Sequence, residues 1–139
     1  MSPQTLIAAA KVFRAEDPLD SRFYIQATLG SAVLRFELVA RLPNGDRGSV
    51  PGKEFFRAMM THFAGRINII EGNWNRTCGL NDNLDRFNRA SAAGLSFVDA
   101  AALTWTGLRA SEYGFDKVTI AQYSGPKGNC DAVRVQFSR

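Results

Sequence analysis

The sequence predicts an α+β domain, a small antiparallel or mixed sheet packed by about four helices. Three observations predict it. Residues 22–28 and 32–42 alternate between apolar and polar side chains around Gly30 and Ser31, and residues 117–123 and 130–137 do the same around SGPKGN; both are hairpin patterns. Between the hairpins lie stretches whose apolar residues recur at helical spacing. Hairpins at both ends of the chain favour antiparallel pairing with helices packed on the sheet over a regular βαβ alternation. The predicted order is α-β-β-α-β-α-α-β-β, in one globular domain spanning residues 1–139.

Taken in order, residues 3–15 place Leu6, Ile7, Ala10 and Phe13 on one side of a short amphipathic helix, which Pro18 and the acids of AEDPLD would end. In the strand over 32–42, Ala32, Leu34, Phe36 and Leu38 alternate with Val33, Arg35, Glu37 and Val39, giving one apolar and one mixed face. PNGD at 43–46 is a turn. A helix over 51–64 follows, with Ser49 as its cap, Pro51 in the first turn and Gly65 at its end. Phe55, Phe56, Met59, Met60 and Phe63 form its buried stripe.

Ile67, Ile69 and Ile70 make a short buried strand between Arg66 and Glu71, and an Asn-, Gly- and Trp-rich loop fills 72–80. Asn81 or Asp82 caps the next helix, which carries Leu84 and Phe87 and ends at Gly94. Ser96 and Asp99 form a capping box for a helix that runs to Gly114, with Phe97, Ala101, Trp105 and Leu108 inward. In the closing hairpin, Val118 and Ile120 share a face with Val133, Val135 and Phe137, while Arg134 and Gln136 take the other.

Composition removes several classes of function. Hydrophobic residues make up 45% and charged residues 22%, values of a folded chain rather than a disordered one. The net charge is +4, and 13 of the 17 basic residues are Arg; this suits a nucleic-acid or acidic protein partner, and equally a GC-rich genome. Cys78 and Cys130 stand alone without CxxC and allow at most one disulfide; with His62 the only histidine, a Cys/His zinc site is excluded, and no cofactor or metal is expected. No apolar run nears the roughly 20 residues of a membrane span, and the start of the sequence lacks the basic segment of a secretory signal. The phosphate-binding GxxxxGK[ST], the dinucleotide GxGxxG, the GxSxG elbow and the zinc-deaminase pattern are all absent.

The remaining polar chemistry concentrates around 62–90. His62 is the side chain whose ordinary pKa lies nearest neutrality and is the default proton carrier, although near the end of a helix a histidine also serves packing or the helix dipole. Glu71 emerges where a buried strand ends, a position that suits a partner base; burial beside isoleucines raises a carboxyl's pKa. Asn73 and Trp74 combine paired hydrogen-bonding groups with a flat apolar surface suited to a base or sugar, or else close their own loop. Arg66, Arg76 and Arg86 are candidates to hold phosphate, and Asn83, on the same helix as Arg86 but not on one face with it, is a further candidate for binding substrate.

IEGNW, NLDRFNRA, AALTWTGLRASEYGF, KVTIAQYSGPKG and VRVQF together resemble small domains at the C-termini of bacterial Rhs-type and other polymorphic toxins or effectors. The resemblance covers roughly residues 66–137, about half the chain, and is one of spacing; no catalytic residue is carried over from it. It implies a bacterial origin, delivery as a soluble domain into a target cell and a cognate, acidic immunity protein. The expected function is a toxin-like effector domain acting as a metal-independent ribonuclease on RNA. The rivals are a non-catalytic protein-binding module that uses the Trp74 loop and the basic surface, and an enzyme acting on a nucleotide such as NAD with Glu71 as acid and Trp74 as platform.

Overall fold

Strands, not a helix, open the chain. The computed structural model describes residues 1–76 and 82–139, which divide into two units, Met1–Asn68 and Ile69–Arg139.

In the first unit β1 (Gln4–Ala8), β2 (Val12–Asp17), β3 (Asp20–Gly30) and β4 (Val33–Val39) pair antiparallel in chain order, followed by α1 (Gly52–His62). The helix expected over 3–15 is therefore two strands and a turn. The helical spacing of Leu6, Ile7, Ala10 and Phe13 is overridden by period-two alternation in VFRAED, which turns Phe13, Ala15 and Asp17 inward opposite Ala27, Ile25 and Asp20. Pro18, expected to end a helix, sits in the β2–β3 turn instead. The expected β3–β4 hairpin is present; its turn residues Ser31 and Ala32 have φ of 52° and 61°, the left-handed pair that matches the twist of adjoining strands.

Phe23, Ile25, Ala27 and Leu34 from the sheet and Phe55, Phe56, Met59 and Phe63 from α1 and its end are all buried, and form this unit's core. The cap of α1 differs from expectation. Pro51 holds the N-cap position without a side-chain bond, and Ser49 turns to Asp17, donating its hydroxyl to Oδ1 at 2.7 Å. The N–H groups of Ser49 and Val50 donate to Asp17 Oδ2 at 2.6 and 3.1 Å, so a carboxylate from β2 satisfies the chain as it enters the helix.

The second unit contains β5 (Ile69–Asn75), α2 (Asp82–Ala92), α3 (Phe97–Ala102), α4 (Trp105–Glu112), β6 (Lys117–Ser124) and β7 (Ala132–Ser138), with strand order β5-β7-β6, all antiparallel. Residues 72–75, expected as loop, continue β5 because each pairs with β7; the polar side chains there occupy the outward positions of a strand. Asn81, a proposed cap of α2, and Cys78 lie outside the described residues.

The long helix expected from Ser96 to Gly114 is two. The Ser96–Asp99 capping bond starts α3 as anticipated, the Asp99 N–H donating to Ser96 Oγ at 3.1 Å. Thr104 then ends one helix and starts the next: its hydroxyl donates to the Ala101 carbonyl at 2.7 Å and accepts the Gly107 N–H at 3.0 Å. Gly107 lets α4 close on the end of α3, since a Cβ there would collide with the carbonyl oxygens of Ala101 and Ala102.

Beneath these helices Ile70, Trp74, Val133, Val135 and Phe137 pack with Leu84, Phe87, Ala100 and Ala110. The buried Asn88 carboxamide holds the backbone of Cys130, accepting its N–H at 2.8 Å and donating to its carbonyl at 3.0 Å. The α+β class holds. The order among the described residues is β-β-β-β-α-β-α-α-α-β-β, seven strands to four helices, a larger strand content than the small sheet expected.

Candidate functional site

Strand alternation gives β5-β7-β6 two unlike faces. The apolar face packs on α2 and α3, with Trp74 6.4 Å from Phe87 and Phe97 4.9 Å from Tyr123 between ring centres. The opposite face carries two polar rows, read across the strands from the register: Glu71, Gln136, Thr119, and next to it Asn73, Arg134, Gln122.

In the first row Glu71 is only 8% exposed and accepts a hydrogen bond from Gln136 Nε2 at 3.1 Å. A buried carboxylate needs such a donor, since leaving it unsolvated is costly. In the second row Arg134 is exposed and has no hydrogen-bond or ion-pair partner among the described residues. Asn73, Gln122, Ser124 and Arg134 line a shallow pocket of about 170 Å³ on this face. A carboxylate, carboxamides and an unpaired guanidinium on one rigid surface can exchange a proton and hold an anion side by side.

The structure distributes the residues singled out in the sequence over several places. His62 and Arg66 come together, but in the first unit and around the β1–β2 turn. His62 Nε2 bonds the Ala9 carbonyl at 2.6 Å, so that nitrogen carries the proton, and the ring stacks on Phe13 at 5.1 Å. Arg66 donates to the carbonyls of Ala10 at 2.5 Å and His62 at 2.8 Å and lies over the Phe63 ring. Both side chains fasten the end of α1 to the turn.

In the second unit, Glu71 and Asn73 share the polar face, whereas Trp74 points the opposite way into the core, 9% exposed between Phe87 and Phe137. It offers no stacking platform; alternation along β5 is the physical reason. Arg76 donates to Asn129 Oδ1 at 2.5 Å and to Asp131 Oδ1 at 3.2 Å, bracing the β6–β7 connection. Asn83 grips the start of α4, donating to Thr106 Oγ1 at 2.9 Å and accepting the Thr106 N–H at 3.1 Å. Arg86 is exposed on α2.

Arg134, Gln122, Gln136 and Thr119 were not singled out as site residues. The alternation of β7 already put Arg134 and Gln136 on the polar face, which was the available signal; Gln122 reaches it through a register shift in β6 that no periodicity reveals. Cys130 is a free, fully buried thiol whose pKa is pushed up by burial and by neighbouring Asp131, the opposite of an activated nucleophile.

Among the described residues no group of three His, Cys, Asp or Glu side chains is placed to share a metal ion, and no helix is long and apolar enough to cross a membrane. Comparison with protein-family models, with curated proteins and with solved structures gives no match.

Proposed function

We propose that the chain is a bacterial effector domain of the toxin type that cleaves RNA without a metal, working on the polar face of β5-β7-β6. The observation that carries the reading is the buried Glu71 carboxylate, fixed by Gln136 one row away from the unpaired Arg134. Together with the sequence resemblance to effector domains, it favours a reaction that needs a base and a cation.

In that reaction Glu71 takes the proton of an RNA 2′-hydroxyl, and O2′ bonds to the adjacent phosphorus as the P–O5′ bond breaks. The departing 5′ oxygen takes a proton from water, and the hydroxide left behind recovers the proton held by Glu71. The products are a 2′,3′-cyclic phosphate and a 5′-hydroxyl end, and Arg134 offsets the charge gathering on the phosphorus oxygens. His62 has a separate task here, holding the β1–β2 turn to α1. The rival readings that rely on Trp74 as a platform lose that support, because its ring lies on the opposite side of β5 from the polar face, between Phe87 and Phe137.

Tightly induced cytoplasmic expression in bacteria tests the proposal. The folded wild type is expected to arrest growth and leave RNA fragments ending in 2′,3′-cyclic phosphate. Glu71→Gln, which keeps the shape and the bond to Gln136, should relieve the arrest while remaining soluble. His62→Ala should relieve it only in proportion to the folded protein lost. A folded wild type that is harmless, or a Glu71→Gln variant that arrests growth fully, overturns the assignment.

A further inference from the structure

We propose that Arg134, Asn73 and Gln122 form a phosphate-binding subsite, with the Ser124 hydroxyl at its edge. We rest this on the face proposed above, but the binding it describes needs no cleavage.

Arg134 lies on the middle strand and is flanked directly by Asn73 on β5 and Gln122 on β6. Directly opposed residues place their Cβ atoms about 5 Å apart, so two carboxamides bracket one guanidinium. Guanidinium and carboxamide groups supply several N–H donors, and a planar guanidinium matches two phosphate oxygens at once. These residues line the 170 Å³ pocket, whose lining contains no acidic side chain. The nearest carboxylate along β5, Glu71, is two residues from Asn73, roughly 7 Å along the strand, and already accepts from Gln136.

A second, independent feature points the same way. The register of β6 against β7 shifts between Ile120 and Gln122: Ile120 faces Val135, yet Gln122 faces Arg134. Without the shift Ala121 would oppose Arg134, and Gln122 would turn toward the helices. The bulge exchanges an alanine for a carboxamide beside the free guanidinium, a re-aiming that bulges commonly perform next to sites. Its cost is a locally broken ladder, and the residue it displaces, Ala121, is exposed.

Nuclear magnetic resonance titration of the full chain at low salt tests the subsite. Inorganic phosphate is one probe and a short single-stranded oligoribonucleotide the other. Both should give saturable shifts at the side-chain amides of Asn73 and Gln122 and at Arg134 Nε–H. Arg134→Gln should weaken binding about tenfold or more, while Arg89→Gln on α2, the same change of charge elsewhere, should leave it within about twofold. Deleting Ala121 should remove the bulge yet keep Gln122 opposite Arg134 and so leave binding intact, whereas Gln122→Ala, which puts a methyl group beside the guanidinium, should weaken it.

Tighter binding of the oligoribonucleotide than of phosphate identifies a phosphodiester as the ligand; the reverse identifies free phosphate. Equal affinity in wild type and Arg134→Gln, or shifts confined to other surfaces, overturns the subsite. Phosphate binding at Arg134 without growth arrest keeps the subsite and removes the ribonuclease reading. Arrest without phosphate binding does the opposite.

Discussion

Asp17 shows how much one side chain from a strand can fix. Burial alone would push its carboxyl pKa up, but the N–H of Leu19, the hydroxyl and N–H of Ser49 and the N–H of Val50 outweigh it and hold the pKa below the ordinary value. The folded pKa is therefore lower than the unfolded one. The ionised form contributes stability above the unfolded pKa, and that contribution is lost as pH falls through the folded value. Asp17→Asn is expected to cost about 2–3 kcal/mol near neutral pH, and less as the solution is acidified. Urea unfolding of both proteins at neutral and acidic pH checks this; a gap that does not narrow in acid refutes it. In the sequence Asp17 was only one of several acids in a turn segment, because all its partners but Leu19 lie 32 and 33 residues away. The alternation that placed Arg134 on a polar face was legible from its neighbours, since it needs only a local period.

At the scale of elements, Gly107 sets two opposing effects against each other. Alanine in a helix interior is favoured over glycine by about 1 kcal/mol. Against that, a Cβ at 107 meets backbone oxygens of Ala101 and Ala102, which move only if α4 pulls away from the end of α3. Overpacking of this kind costs about 1–3 kcal/mol, so Gly107→Ala is expected to lower stability, read as a reduced melting temperature with unchanged helix content. A higher melting temperature would mean that the α3–α4 junction is looser than its geometry. The break at Thr104 was not legible in the sequence. A threonine has the same helix propensity whether it lies inside a helix or caps one, and the Ala101 and Gly107 backbone groups that decide between them are fixed by the fold. The opening strands were misread for a related reason: five exposed residues in β1 carry no burial pattern, so the chance spacing of four apolar side chains stood alone.

For the whole chain, strand order predicts where protection from solvent exchange is greatest. β3 pairs with β2 and β4, and β7 with β5 and β6, whereas β1 and β6 each pair on one side. Amides of β3 and β7 should exchange slowest and those of β1 and β6 fastest, which hydrogen–deuterium exchange resolved by residue will show; slow exchange throughout β1 would contradict the order. What the sequence by itself determined was the α+β class, the two hairpins, the buried stripe of α1 and the start of α3. Each depends on a period or a cap within a few residues. Only the tertiary structure decided that 4–17 is a strand pair, that Trp74 lies on the helix-packed face of β5 while Glu71 and Asn73 lie on the other, that His62 and Arg66 bind a turn, and that Gln122 stands beside Arg134. These outcomes depend on register and on partners distant in the chain. Because side chains in a strand alternate with period two, a shift of one residue carries a side chain from the core to the working face.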